Sequence, residues 1–123
     1  MRPRRSAFIL AALAAIAALV AAASASAAAP KLVGETGPGF TIQLKSSTGK
    51  AVKSLKAGTY VLKVEDKSPI HNFHLTGPGV NKLTAVDGTG TKTWTVKLKP
   101  GKYTYKCDIH AAEGMTGTFK VIK

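Results

Sequence analysis

Most of the chain after residue 29 alternates between apolar and polar residues with a period of two. Such alternation is typical of β-strands that have one face in a core and the other in water. The alternating runs are Phe40-x-Ile42-x-Leu44, Tyr60-x-Leu62-x-Val64, Phe73-x-Leu75, Trp94-x-Val96-x-Leu98, Tyr103-x-Tyr105-x-Cys107 and Phe119-x-Val121. Glycine- and proline-containing turns separate these runs, and no run has helical periodicity. The pattern predicts an all-β fold, a two-sheet β-sandwich or barrel.

The first 29 residues have a different composition. Three arginines within residues 1–5 are followed by an uncharged, alanine-rich stretch that ends in Ala-x-Ala steps. A basic start, an apolar middle and small residues at the end are the pattern of a secretory signal peptide. We therefore predict a signal peptide at residues 1–29 and one domain at residues 30–123, located in the periplasm or outside the cell. The alternative is an uncleaved anchor, which could span a bilayer of about 30 Å and is the only case in which we expect membrane contact.

The charge of the predicted domain is strongly positive. All three arginines lie in the leader, so that the net charge falls from +12 for the whole chain to +9 for residues 30–123. The lysines are scattered without a basic run, and arginine, the residue best suited to reading phosphates, is absent. We therefore expect no nucleic-acid binding. The charge is compatible with steering toward acidic partners or an anionic membrane surface, and we expect a monomer.

One short segment carries a thiol, an imidazole and a thioether, with the spacing Cys107-x2-His110-x4-Met115. Soft and borderline ligands of this kind suit copper that cycles between its two oxidation states. Cys107 is the only cysteine of the chain, so it cannot form an internal disulfide, and a free thiol in an exported protein requires an explanation. The acidic residues of this segment, Asp108 and Glu113, are expected to be solvated loop charges.

The sequence offers two further histidines from which a third strong ligand could come. His71 has the same parity as Phe73 and Leu75, so it is predicted to face the core. His74 has the opposite parity, which it shares with Asn72, and is predicted to lie on the outer face. We therefore select His71 as the ligand.

Together, Ile70-His71-Asn72 and the Cys107-x2-His110-x4-Met115 spacing resemble the type 1 blue copper proteins, or cupredoxins, especially plastocyanin and related small bacterial members. The resemblance covers most of residues 30–123. It implies a Greek-key β-sandwich that binds one type 1 copper ion through four ligands: His71, Cys107, His110 and Met115. It also implies that Asn72 ties the His71 segment to the cysteine loop. Plastocyanins usually have proline where this chain has Ile70 and Ile109, which argues against a photosynthetic role.

The resemblance implies an electron carrier that cycles between Cu(II) and Cu(I) in a closed site and exchanges electrons with partner proteins, acidic ones among them. It further implies that the edge of His110 passes the electron and that Ile109 belongs to the docking patch. Four protein ligands leave no open position for a substrate, so we expect no enzymatic activity. A periplasmic copper carrier or storage protein with the same ligands is the main alternative, and a sandwich domain without metal is a third.

Overall fold

The computed structural model describes residues 28–123. The elements of this part are β1 (Lys31–Thr36), β2 (Ile42–Ser46), β3 (Ser54–Lys56), β4 (Gly58–Asp66), β5 (His74–Gly77), β6 (Val80–Leu83), β7 (Gly90–Leu98), β8 (Gly101–Lys106), a 3-10 turn (Ala111–Glu113) and β9 (Thr116–Ile122). Apart from its last two residues, the predicted signal peptide lies outside the described residues. Within residues 28–123, no helix has the length and apolar character needed to cross a membrane.

The strands form two sheets that enclose one core. The four-stranded sheet has the order β2-β1-β4-β7, and the five-stranded sheet has the order β3-β9-β8-β5-β6. Pairing is antiparallel except between β1 and β4 and between β3 and β9, which are parallel. The predicted all-β sandwich is therefore confirmed.

The core consists of alternate residues from both sheets, as the period-two pattern requires. The side chains that are fully buried, or nearly so, include Leu44, Leu62, Val64, Phe73, Leu75, Leu98, Tyr103 and Phe119. Burial of a side chain of this size contributes about 1.5–3 kcal/mol. This apolar layer holds the strand ends in place, and β8 leads directly from it into Cys107.

Two features of the first half of the domain differ from the sequence-based expectation. Phe40 was expected on the buried face of a strand, but the strand begins only at Ile42 and the Phe40 side chain is 55% exposed. Strand β1 was not among the predicted strands, because Gly34 occupies one of its inward positions and interrupts the apolar alternation. A Cβ at Gly34 would lie 2.8 Å from the Phe73 ring, so that the close approach of β1 to this ring excludes larger residues.

Two similar turns are each fixed by a tyrosine that opens the following strand. The Tyr60 hydroxyl donates to the Lys56 carbonyl at 2.7 Å, four residues upstream. The Tyr103 hydroxyl lies 2.9 Å from the Lys99 carbonyl and accepts the Lys99 amide at the same distance. Tyrosine corners of this kind are common in Greek-key sandwiches. The second corner fixes the start of β8, the strand that carries Cys107 at its other end.

Candidate metal centre

The loop between β8 and β9 is closed by its own backbone. The Cys107 amide donates to the Met115 carbonyl at 3.0 Å, and the Met115 amide donates to the His110 carbonyl at 3.3 Å. Between them the chain makes the 3-10 turn, which ends at Gly114 with a left-handed φ of 95°. Since side chains other than glycine rarely adopt this conformation, Gly114 lets the chain return within a few residues. The short loop thereby presents Cys107 and His110 on the same side.

Three of the predicted ligands meet at one point. The Nδ1 atoms of His71 and His110 are 2.9 Å apart, and Cys107 Sγ lies 3.9 Å and 3.7 Å from them, respectively. The point equidistant from these three atoms lies about 2 Å from each, which is the length of a metal–imidazole bond. The three donor atoms are therefore arranged as a trigonal site for one metal ion.

The candidate centre is closed to solvent except at one ligand. His71, Cys107 and Met115 are fully buried, whereas the His110 side chain is 16% exposed. Phe40 covers both imidazoles, since its ring centroid lies 5.1 Å from that of His71 and 4.9 Å from that of His110 in edge-to-face geometry. Sequence reasoning missed this contact because Phe40 is distant in the chain from both histidines.

Met115 is placed next to the cluster by its backbone. Its amide and carbonyl bond to His110 and Cys107, and its side chain is fully buried. A methionine thioether is a weak copper ligand in His2Cys sites, so Met115 is the candidate for a fourth ligand. Coordination by its thioether sulfur remains a prediction.

Asn72 joins the two segments that carry the ligands. Its Nδ2 donates to Asp108 Oδ2 at 2.8 Å and to the Thr84 carbonyl at 3.2 Å, while its Oδ1 accepts the Asp108 amide at 2.8 Å. The parity argument placed Asn72 on the outer face, and this was wrong, because Asn72 is fully buried. The reason is that β5 begins only at His74, so that strand alternation does not apply to residues 71–73.

A histidine that is not a ligand bonds to this link from outside. His74 lies outside the ligand cluster, with Nδ1 2.7 Å from Asp108 Oδ1 and Nε2 2.6 Å from Asn81 Oδ1. The expectation that Asp108 is merely a solvated loop charge was wrong, since both of its carboxylate oxygens are hydrogen-bonded. Burial acts to raise the pKa of Asp108, but the hydrogen bonds from His74 and Asn72, together with electrostatic attraction to His74 and Lys106, outweigh it and hold the pKa below its ordinary value.

This lowered pKa predicts that acid loosens the link between the two ligand segments. A carboxylate with a depressed pKa in the folded state stabilises the fold above the pKa of the unfolded chain, near 3.9, and this stabilisation is lost as the pH falls through the folded pKa. We expect the contribution of Asp108 to the free energy of unfolding of the metal-free protein to fall as the pH drops below about 5 and to be lost below the folded pKa. Denaturant titrations of wild type and Asp108→Asn measure this, and equal pH slopes in the two proteins would contradict it.

Comparison with known proteins identifies the fold but not a close relative. No protein-family model and no curated protein matches the sequence. Among solved structures, reduced rusticyanin matches with a TM-score of 0.59 and 22% identity over 79% of this chain and 81% of that one. Rusticyanin from Thiobacillus ferrooxidans matches with a TM-score of 0.55 and 24% identity over 79% of each chain. A further match is described as the copper protein rusticyanin, with a TM-score of 0.60.

The donor set itself fits copper better than zinc. Two imidazole nitrogens and one cysteine sulfur in a trigonal arrangement, with a methionine beside them, fit one type 1 copper ion. A tetrahedral structural zinc site would require a fourth strong donor, and the described residues bring only these three His, Cys, Asp or Glu side chains together here. The chain has the fold of rusticyanin, the cupredoxin fold expected from the sequence, with a ligand cluster that fits a single copper ion.

Proposed function

We propose that this chain is an exported electron carrier that would hold one copper ion through His71, Cys107, His110 and Met115. The observation that carries the proposal is the convergence of three donor atoms on one point within a closed site. The copper would supply a one-electron Cu(II)/Cu(I) couple. The chain would hold its ligands still, because three of them come from one backbone-bonded loop and the segment of the fourth, His71, is tied to that loop through Asn72.

Burial of the ligands favours electron transfer over copper delivery. A protein that hands over metal needs a site from which the ion can be exchanged through an accessible ligand set. Here three of the four proposed ligands are fully buried, and Phe40 lies across both imidazoles. An electron can cross such a barrier whereas an ion cannot leave without rearrangement of the loop.

The proposed point of exit for the electron is the exposed edge of His110. Three large apolar side chains, each at least half exposed, belong to the segments around it: Phe40, Ile70 and Ile109. Phe40 contacts the His110 ring directly, and Ile109 precedes His110 in the chain. A partner protein that covers these side chains would exclude water and approach the ligand ring closely.

The chemistry of the partner is indicated by the five-stranded sheet. Its strands contain five lysines, namely Lys56, Lys82, Lys102, Lys106 and Lys120, and no acidic residue. In the four-stranded sheet, by contrast, Lys63 pairs with Glu65 at 3.1 Å. Lys102 and Lys120 lie directly opposite each other in the β8–β9 ladder, an arrangement that costs stability. We propose that this lysine-rich face attracts acidic redox partners. We further propose that the domain is monomeric and lies in the periplasm or outside the cell.

The lysine-rich face predicts that removing charge from the five-stranded sheet weakens the binding of an acidic peptide more than removing the same charge from the four-stranded sheet. We expect glutamine at Lys53, Lys102 and Lys120, which line one depression of the five-stranded sheet, to weaken binding of a hexaglutamate peptide about tenfold. Glutamine at three lysines of the four-stranded sheet, Lys31, Lys45 and Lys92, removes the same charge and should have little effect. Chemical-shift titrations at low salt measure both affinities, and equal losses in the two variants would show that only net charge matters.

Voltammetry combined with a chelator challenge tests the proposed function. The copper-loaded wild type should be intensely blue when oxidised, give one reversible one-electron wave, and retain its copper against a chelator through repeated cycles. A colourless protein that binds only Cu(I) and yields it to the chelator within minutes would support copper delivery instead. A protein that binds no copper would leave only the sandwich fold.

A further inference from the structure

Three buried polar atoms have no hydrogen-bond partner among the described residues, namely Thr36 Oγ1, Asp66 Oδ2 and His71 Nε2. A buried polar atom without a partner costs about 1–3 kcal/mol, and more for a charged group. Native proteins contain few such atoms, so each one requires an explanation. One of the three belongs to a proposed copper ligand.

The three residues lie at the same end of the four-stranded sheet. Thr36 and Asp66 are paired in register at the ends of the parallel strands β1 and β4, so their side chains project from the same face, and both are buried. Gly37, which follows Thr36, faces the His71 ring. A Cβ at Gly37 would lie 3.4 Å from His71 Cδ2, the ring carbon bonded to Nε2. The Cδ2 edge of the His71 ring, which carries the unpartnered Nε2, therefore lies beside the ends of β1 and β4.

The orientation of the Asp66 carboxylate is already fixed by its other oxygen. Asp66 Oδ1 accepts the Ser68 amide at 3.1 Å. The Ser68 hydroxyl accepts the Ile70 amide at 3.4 Å. Asp66 Oδ2 is thus the oxygen that remains for another donor. Burial raises the pKa of the Asp66 carboxyl, and the Ser68 amide and the nearby His71 act in the opposite direction.

The chemistry of a histidine ligand supplies that donor. Because Nδ1 of His71 points into the ligand cluster, a metal-binding tautomer carries its proton on Nε2. Metal-bound histidines usually donate this second N–H to a carboxylate, a carbonyl or a water. No direct hydrogen bond joins the three orphan atoms, and a buried water typically makes about three hydrogen bonds.

We propose that Asp66 is the outer hydrogen-bond acceptor of the His71 Nε2–H, reached through one buried water that the Thr36 hydroxyl also binds. Asp66 is then a positioning residue. It fixes the His71 tautomer and ring orientation, and its negative charge favours Cu(II) over Cu(I), which lowers the reduction potential. This inference rests on the copper site of the proposed function.

The variant Asp66→Asn tests the proposal, because it keeps an oxygen for the Ser68 amide and removes the charge. We expect the Cu(II) affinity to fall about 10–100-fold and the Cu(I) affinity to fall less. For every factor of ten by which the loss of Cu(II) affinity exceeds the loss of Cu(I) affinity, the reduction potential of the variant rises by about 59 mV. Glu65→Gln is the matched control, since it removes one negative charge from the adjacent, half-buried position of β4 and should leave the potential close to that of wild type.

Two further measurements separate positioning from a merely structural role. At neutral pH, the metal-free Asp66→Asn protein should be at least as stable as wild type, because burial disfavours the charged carboxylate. In ¹⁵N-histidine-labelled, Cu(I)-loaded wild type, the His71 Nε2 proton should be visible and slow to exchange, and Asp66→Asn should shift it. Thr36→Val should produce a smaller shift of the same signal.

An unchanged reduction potential in Asp66→Asn, or a His71 Nε2–H that exchanges rapidly in wild type, would overturn the role of Asp66. Either result in a wild-type protein that is blue and cycles reversibly leaves the electron-carrier function intact. Absence of copper binding in wild type, by contrast, would overturn the proposed function itself.

Discussion

The substitution Cys107→Ser is expected to abolish the intense visible absorption of the copper-loaded protein and to lower its copper affinity by more than a hundredfold. The absorption of a blue copper site comes from charge transfer between the thiolate and Cu(II), and a serine hydroxyl is neither ionised at neutral pH nor a soft ligand. Cys107 supplies the only sulfur among the three converging donors. Absorption spectra and copper content of the two purified proteins measure the effect.

The control for this variant is the stability of the metal-free protein. Serine has nearly the volume of cysteine, but its hydroxyl would be fully buried at this position, so we expect a loss of about 1–3 kcal/mol without loss of the fold. A variant that folds but is colourless supports thiolate ligation. A variant that keeps the blue band with one copper per chain would show that Cys107 is not a ligand.

The second large effect is expected for Asn72→Ala. This truncation removes three hydrogen bonds of a fully buried side chain and leaves the Asp108 amide and the Thr84 carbonyl without their partner. We expect the free energy of unfolding to fall by about 2–4 kcal/mol. Since Asn72 links the His71 segment to the cysteine loop, we also expect copper affinity to fall about 10–100-fold. Denaturant titration and competition with a copper chelator measure the two losses.

Asn81→Ala is the matched control for this second variant. Asn81 is exposed, and its amide oxygen contacts His74 at 2.6 Å but no ligand segment. Its truncation should change the free energy of unfolding by about 0.5 kcal/mol. Comparable losses in Asn72→Ala and Asn81→Ala would contradict the view that Asn72 is the link between the two ligand segments.

The sequence allows prediction of the ligand loop because its signal is local. Cys107 and His110 lie on one short loop, and their donor atoms are 3.7 Å apart. The choice of His71 over His74 rested on strand parity, and His71 is indeed the histidine that faces the cluster. Its segment precedes the strand, however, so the same parity argument failed for Asn72.

The contacts that the sequence did not predict are all non-local. Phe40 reaches the two imidazoles across the end of the sandwich, which no periodicity indicates. Asp108 is anchored by partners 34 and 36 residues away. One signal was present but unused: Asp66 continues the inward positions of β4 after Leu62 and Val64, and a carboxylate at an inward position requires a buried polar role.

The central claim is that His71, Cys107 and His110 bind one copper ion together, and X-ray absorption spectroscopy of the copper-loaded protein tests it most directly. We predict one copper per chain with two nitrogen scatterers at about 2 Å and one sulfur slightly farther out, and the loss of one imidazole contribution in His71→Ala. A first shell of nitrogen and oxygen without a short sulfur distance, or a spectrum that His71→Ala leaves unchanged, would contradict the claim.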